Sequence, residues 1–492
     1  MEKNKLIAND RTILKYTGVF GGLQGLSILI GIIRNKLVAI ILGPQGVGLI
    51  SLFNSTVNFM FTCTNLGLPT SSVKTLSETY ENNISAQLRH QVSLTRHWTL
   101  LAAIGGTIIF FFLSPLLDKI TFSWGNHTLH FMLLSPIIFF LTISAGETAV
   151  LKSIRRLKDL AVITIINVAF ALLFSIPIYY FFGEAGIVPS LLMVALVQLL
   201  LTIRITFRLF PPIYRFDVSI LKQGKDIIRL GIAFVFAGIF TNGADFAIRS
   251  FLNKTASLWE LGLYNAGFML TTIYVGMLFS VLESDYYPRL SAVNKDKTKC
   301  NKIINQQAEI TFLLAAPMLV VLMTCLPIVI PLLYSSAFLP VIGMAQVVII
   351  ALFIRSVKLP VAYLTLAKGD SISFLLLEAY CALLQVVSVV SGYRLYGLTG
   401  IGYGLLFTSI VDFIVIFTFT HKKYGYQPSK QIFYYMAMQL PLGILTFIIA
   451  QFCHGIIYWI LCAVISLISI FISVRIYFKR QQQTMSFSEN LS

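Results

Sequence analysis

Apolar runs of about 20 residues follow one another along the whole chain, with short polar stretches between them. A helix rises about 1.5 Å per residue, so each run is long enough to cross a hydrocarbon core of about 30 Å. Runs such as LAAIGGTIIFFFLSPLL at 101–117 are apolar on every side, whereas a strand of a membrane barrel alternates apolar and polar residues. The pattern predicts an all-α polytopic membrane protein.

The apolar runs predict about fourteen transmembrane helices, which leave no room for a separate soluble domain between them. The predicted spans are 16–42, 49–72, 98–115, 129–151, 160–182, 187–210, 230–252, 262–283, 310–333, 340–366, 371–393, 399–420, 432–452 and 456–477.

Basic residues lie mainly on one predicted side of the membrane. With a cytoplasmic N-terminus, the inner segments hold 29 Lys and Arg residues, and the outer segments hold only Lys119, Lys254 and Arg394. Because positive residues favour the cytoplasmic side, both termini are predicted to be cytoplasmic. The net charge of +17 follows from the same bias, so nucleic acid is not expected as a partner.

The chain also repeats itself at a nearly constant spacing. The stretch RNKLVAIILGPQGVGLISLFNS at 34–55 returns as RSFLNKTASLWELGLYNAGFM at 249–269, and GEAGIVPSLL at 183–192 returns as GLTGIGYGLL at 397–406. This repeat predicts two six-helix lobes in the same orientation, as in transporters built from parallel repeats. The predicted domains are an N-terminal lobe at 1–215, a C-terminal lobe at 216–425, and an extra helix pair with a cytoplasmic tail at 426–492.

Five basic residues fall inside predicted spans, where an unpaired charge costs about 2.5 kcal/mol or more. Such residues usually face a bundle interior or a wet cavity, so they are candidates for binding an anionic group. Lys36 also has the simpler interpretation of snorkelling to the interface, and Arg34 that of bonding to Asn54 or Asn58 on the next helix. The candidates are Arg34, Lys36, Arg249, Arg355 and Lys358.

Acidic residues inside spans are the candidates for counter-charge or coupling. Asp245 precedes Arg249 by four residues, a spacing that favours a local ion pair. Glu378 lies deeper in its span than the other acids. Glu147 and Asp412 lie within two turns of an inner helix end, and salt bridges to loop lysines are an adequate explanation for both.

Motifs for enzymatic chemistry are missing from the sequence. There is no phosphate-binding loop, no HExxH, and no Ser, Cys or His cluster with nucleophile spacing. The six cysteines form no CxxC or His-spaced ligand set. We therefore expect a protein that is not an enzyme and needs no cofactor.

Several stretches, taken in order, resemble polysaccharide flippases of the multidrug/oligosaccharidyl-lipid/polysaccharide (MOP) exporter superfamily. They are KLVAIILGPQGVGL (36–49), IRSFL with WELGLYNA (248–266), YYPRLS (286–291) and LTLAKGDSISFLLLE (364–378). The likeness covers residues 10–420 and is greatest to the lipid III flippases of enterobacterial common antigen and to O-antigen flippases. Charged positions typical of that group match Lys36, Arg249, Arg355, Lys368 and Glu378.

Arg34, Lys358 and the extra helix pair at 432–477 depart from the lipid III group. The resemblance implies two lobes around a central cavity that opens to either side in turn, in the bacterial inner membrane. Its substrate would be an oligosaccharide on undecaprenyl pyrophosphate, moved to the outer leaflet for surface polysaccharide synthesis. The expected partners are this lipid, membrane lipids, and a polysaccharide polymerase with its chain-length machinery.

The resemblance implies that the cations inside the spans bind the pyrophosphate, because a pyrophosphate entering a water-poor cavity needs positive charge and fixed donors. Three alternatives remain open, of which a purely structural membrane protein would need neither the buried cations nor the repeat. A cation-coupled drug antiporter of the same superfamily would need acidic residues in its cavity, and the first span has none. A membrane enzyme of lipid-linked glycans would need a sizeable outer loop, and the longest outer segment is only 116–128.

Overall fold

The computed structural model describes residues 25–81, 85–211 and 225–489 of the chain. The described part is helical throughout, with short 3₁₀ turns and one π-helix. The α-helices are α1 (25–41), α2 (Gly43–Thr64), α3 (Leu68–Glu81), α4 (Ser85–Thr121), α5 (Thr128–Ser153), α6 (Leu157–Phe182), α7 (Ile187–Leu209), α8 (Lys225–Thr255), α9 (Leu258–Phe268), α10 (Val275–Ala292), α11 (Lys297–Leu333), α12 (Ile342–Ala367), α13 (Ser371–Tyr424), α14 (Lys430–Phe452) and α15 (Gly455–Glu489).

The predicted all-α polytopic fold is confirmed. Each of the fourteen predicted spans falls on helix over most of its described length. Within the described ranges, nine helical segments are long and apolar enough to cross a membrane, and two of these, Leu157–Leu209 and Ser371–Tyr424, each hold two predicted spans. The remaining spans correspond to α1, to α8, and to α9 and α10 joined by a π-helix at Met269–Tyr274.

The predicted second span, 49–72, is too long. The structure ends α2 at Thr64 and begins α3 at Leu68, because the chain turns between them. Gly67 has a φ of +67°, and a Cβ built on it would lie 2.0 Å from the carbonyl oxygen of Gly231 on α8. Asn65 supports the turn by accepting the Gly67 amide N–H at 2.7 Å. This close backbone approach is possible only without a side chain.

The internal repeat is visible in the backbone. Gly183, which ends α6, has φ 56° and ψ −134°, and Gly397, its counterpart in the second copy, has φ 59° and ψ −142°. The same offset relates Arg155 to Gly369, and both have a positive φ in the turn after the fourth span of their repeat. Two turns of each repeat therefore share the same unusual conformation, which fixes the register of the repeat between them.

The chain divides into two compact units, of which the first comprises Met1–Gly262 with Leu333–Ser335. In its described part, α4 packs on α5, α5 on α7, and α2 on α8. Phe59 of α2 stacks on Phe246 of α8 with ring centroids 5.1 Å apart, and Asn242 donates to Thr62 at 3.0 Å.

A reciprocal contact joins the start of α2 to the start of α9 in the first unit. A Cβ on Gly48 would lie 2.2 Å from the carbonyl oxygen of Leu258, and a Cβ on Gly262 would lie 1.8 Å from that of Pro44. Pro44 corresponds to Leu258 in the repeat, as Gly48 does to Gly262. Each contact therefore joins a glycine of one repeat to a carbonyl oxygen of the other, and the two contacts use equivalent positions, as in a two-fold interface.

The second unit comprises Leu263–Leu332 with Ser336–Ser492. Its core includes Tyr286 of α10, Ile304 of α11, Val361 of α12 and Ile416 of α13. The predicted extra helix pair is present as α14 and α15, and α14 packs on α12. Gln439 of α14 links the two helices, because its side-chain amide donates a hydrogen bond to the Ser469 carbonyl oxygen of α15 at 3.0 Å. The predicted boundary between domains at residue 215 lies outside the described residues and stays a prediction.

Candidate functional site: charged residues inside the spans

Arg34 lies on α1 and is half-buried. Its Nε donates to the hydroxyl of Ser175 on α6 at 3.1 Å, so its partner is neither Asn54 nor Asn58. A guanidinium has five N–H donors, and the other four of Arg34 have no partner among the described residues. Lys36, two residues on, is also half-buried and takes part in further contacts of its own.

Arg249 on α8 is almost fully buried, with 7% of its side chain exposed. Its Nε lies 2.9 Å from each carboxylate oxygen of Asp245, one turn earlier on the same helix. The predicted local ion pair is confirmed. Because a paired charge is far less costly to bury than a single one, Asp245 explains how Arg249 can lie inside a span.

The second unit brings four charged residues together in one cluster. Lys358 of α12 forms an ion pair with Asp412 of α13, and Glu378 of α13 interacts electrostatically with Lys358, Asp412 and Arg355. The side chains of Lys358 and Asp412 are 18% and 6% exposed. The half-buried Arg355 makes no hydrogen bond within the described part of the chain.

The prediction for Asp412 was therefore wrong, since its partner is an intramembrane lysine and not a loop lysine. The packing of α12 against α13 decides this pairing. The sequence did carry a signal, because Lys358 and Asp412 are charges of opposite sign on spans 10 and 12. Their separation along the sequence does not by itself predict that Lys358 and Asp412 form a pair.

The predicted salt bridge of Glu147 is present, but its partner is an arginine and not a lysine. Its carboxylate is 3% exposed and receives two hydrogen bonds from Arg96 of α4, at 2.7 and 3.0 Å. Arg96 also donates to the carbonyl oxygen of Phe210 at 2.8 Å and lies 4.6 Å from the centroid of the Phe207 ring. This clamp joins α4, the C-terminal part of α5 and the residue that follows α7.

The Arg96–Glu147 clamp lies in the wall of a cavity of about 480 Å³ inside the first unit. Arg89, His97 and Thr99 contribute further polar groups, and most of the remaining lining is apolar. None of the five predicted cations lines this cavity. The clamp is a structural ion pair with both partners engaged, so we do not assign it to the site.

Two clusters of titratable groups lie between the spans. In the α12–α13 loop, Asp370 accepts hydrogen bonds from Lys423 and Tyr424, which hold the pKa of its carboxyl well below the usual range. In the α4–α5 loop, burial and the neighbouring His130 lower the pKa of His127 below its ordinary value, although Asp118 opposes the shift.

The comparison with known families decides the assignment. A family profile described as "Polysaccharide biosynthesis protein" matches residues 37–343, more than half of the chain. The chain belongs to the polysaccharide biosynthesis protein family. The matched residues include Arg249 and Asp245, while the charged cluster of the second unit lies beyond them. No curated protein matches the sequence of this family member.

Solved structures show which fold this member of the family has. The lipid II flippase MurJ in an inward closed conformation is 14% identical, with a TM-score of 0.69 over 94% of this chain and 99% of that chain. An inward-facing multidrug resistance MATE family transporter of the MOP superfamily is 15% identical, with a TM-score of 0.68 over 81% and 94%. A MOP superfamily transporter from Pyrococcus furiosus is 14% identical, with a TM-score of 0.50 over 83% and 93%. The chain is thus a multi-pass membrane protein with the fold of these transporters.

Proposed function

We propose that the protein is a flippase that moves an oligosaccharide linked to undecaprenyl pyrophosphate from the inner to the outer leaflet of the bacterial inner membrane. The site would hold the pyrophosphate through Arg34, Lys36, Arg249, Arg355 and Lys358. Asp245 and Glu378 would supply counter-charge or coupling. Membership in a polysaccharide biosynthesis family supports a glycan-related cargo, and the similarity in fold to a lipid II flippase supports a lipid-linked one.

The observation that carries the proposal is the state of two arginines inside the spans. Arg34 in the first unit and Arg355 in the second retain guanidinium N–H donors that have no partner among the described residues. Arg34 has no carboxylate partner among the described residues, and the carboxylate near Arg355 is Glu378, which interacts with it electrostatically. Guanidinium N–H donors left unsatisfied at membrane depth are costly. A bound phosphorylated headgroup would offset this free-energy cost, because arginine forms two parallel hydrogen bonds to phosphate oxygens.

The drug antiporter is a second candidate, because the MATE transporter shares the fold. It is favoured less by the charges. A cationic drug needs carboxylates that face the cargo, and in the spans Asp245 and Asp412 are each already engaged by a basic residue. An anionic cargo accounts for the N–H donors that Arg34 and Arg355 leave free among the described residues, and a cationic drug would not use them.

We assign the cargo to the class of lipid III and O-antigen units, because the motifs between residues 36 and 378 resemble those of such flippases. Both termini would be cytoplasmic, as the distribution of basic residues favours. A polysaccharide polymerase and its chain-length machinery would then act on the product in the outer leaflet.

The test is leaflet movement of a lipid-linked oligosaccharide in proteoliposomes, followed by the exposure of a fluorescent sugar label to a membrane-impermeant quencher. We expect the double variant Arg34→Gln with Arg355→Gln to lose at least about tenfold in rate, which corresponds to ~1.4 kcal/mol of lost binding. Neither substitution strands a buried carboxylate hydrogen bond. The matched control is Lys299→Gln, which removes an exposed cation in the first turn of α11 and is expected to leave the rate unchanged. A double variant as fast as the wild type would refute the headgroup role.

A further inference from the structure

The two repeats differ in charge at equivalent positions. With the offset that relates Gly183 to Gly397, the second unit's Lys358, Glu378 and Asp412 correspond in the first unit to Ser144, Thr164 and Gln198. The first unit is therefore neutral where the second unit is charged. Since the same helical scaffold forms without these charges, their presence in the second unit is not a requirement of the fold.

The contact at the centre of the cluster has a neutral counterpart. Asp412 lies beside Cys381 in the second unit, and at the equivalent positions of the first unit Asn167 donates to Gln198 at 3.4 Å. The two residues are therefore neighbours in both repeats. Only the second repeat adds a carboxylate and an ammonium to this contact.

The charge balance of the cluster limits what it can do. Arg355 and Lys358 carry two positive charges, and Glu378 and Asp412 carry two negative ones. As a closed set it has no net attraction for an anion. To bind a phosphorylated headgroup, Lys358 has to leave Asp412, and the carboxylate that it leaves is buried and must then be neutralised in another way.

We propose that Lys358 is exchanged between Asp412 and the anionic headgroup, and that the carboxylate pair of Asp412 and Glu378 takes up one proton when the headgroup binds. This inference rests on the proposed flippase function and names its coupling group. The step balances: the ammonium moves from carboxylate to phosphate, and a proton from water on the open side joins a carboxylate oxygen. When the headgroup leaves, Lys358 returns to Asp412 and the proton is released.

The groups that face Asp412 within the described chain come from two helical segments. Lys358 lies on α12, and Glu378, Tyr380 and Cys381 lie on the first half of α13. Lys358 forms the direct ion pair and Arg355 reaches the cluster through Glu378. In this cluster, Asp412 is the carboxylate whose direct cationic partner would be withdrawn by an anionic ligand.

The experiment is calorimetric titration of the full-length protein in lipid nanodiscs with farnesyl pyrophosphate as the probe, at pH 8. At this pH the pyrophosphate is itself fully ionised, since its last proton dissociates near pH 6. Titration in two buffers of different ionisation enthalpy gives the number of protons taken up per ligand bound. We expect the wild type to take up about one proton more than Asp412→Asn. Asp412→Asn should also bind about tenfold more tightly, because Lys358 is free in the absence of ligand.

Two further variants make the result decisive. Lys358→Ser with Asp412→Gln recreates the neutral residues of the first unit, and we expect it to fold, to bind about tenfold more weakly and to take up no proton. Asp296→Asn removes an exposed carboxylate that pairs with Lys299 of α11 and should behave as the wild type.

Equal proton uptake by the wild type and Asp412→Asn would overturn this inference while leaving the flippase proposal intact. Failure of the neutral double variant to fold would overturn it too, because the charges would then serve the fold. Absence of any probe binding by the wild type would overturn both proposals.

Discussion

Breaking the Arg96–Glu147 clamp is a direct test of how the first unit is held together. The change is Glu147→Leu, which leaves the Arg96 guanidinium without the two hydrogen bonds to the carboxylate. The carbonyl of Phe210 and the ring of Phe207 remain as its only contacts among the described residues. The cation is then left without an anionic partner at the point where α4, α5 and α7 meet.

The size of the effect follows from burial. Glu147 is 3% exposed and Arg96 is 16% exposed, so water can screen the arginine only in part. Removing one partner of a buried pair costs about 3–5 kcal/mol, and the partial exposure of Arg96 places our expectation at about 3 kcal/mol. Arg96→Met should cost about the same. The double variant should cost clearly less than either single variant, because no unpaired charge is left.

The assay is equilibrium unfolding in mixed micelles, followed by circular dichroism, for the wild type, the two single variants and the double variant. The cycle of four free energies of unfolding gives the coupling between the two side chains. Asp159→Asn provides the matched control, because its ion pair with Arg156 is exposed and measures 3.4 Å. This control should cost less than about 1 kcal/mol.

Two results would refute the reasoning. If the single variants are as stable as the wild type, the clamp does not hold the helices. If their costs add in the double variant, the two residues act independently and the short distances carry no coupling.

Three other predictions follow from the local geometry. Gly262→Ala should destabilise the protein by several kcal/mol, because its Cβ would overlap a backbone oxygen, whereas Gly105→Ala, which meets open space, should be neutral or slightly stabilising in the same unfolding assay. Because the pKa of His127 is lowered in the folded protein, stability should fall as the pH drops below about 6.5, and His127→Phe should flatten this part of the pH profile. Asp370→Asn should lower the thermal midpoint at pH 7, since the ionised carboxyl is the form that the fold stabilises, and the difference from the wild type should shrink as the pH falls below about 4.

The ion pairs show where prediction from the sequence succeeds and where it does not. Asp245 and Arg249 are four residues apart on one helix, so helical geometry alone brings them together. Asp412 and Lys358 are 54 residues apart on different helices, and their pairing depends on how α12 packs on α13. The hydrogen bond from Arg34 to Ser175, 141 residues away, likewise depends on how the helices pack.

The sequence by itself determined the helical membrane fold, the approximate spans, the repeat and the set of charges that need an explanation. These features can be predicted from individual stretches of sequence, because the hydrocarbon core imposes length and apolarity on every span separately. Only the tertiary structure decided which charges pair between different helices, where Gly67 breaks the second span, and that Asp412 belongs with Lys358. Side-chain partners are chosen by helix packing, and packing depends on contacts between residues that the linear pattern does not connect.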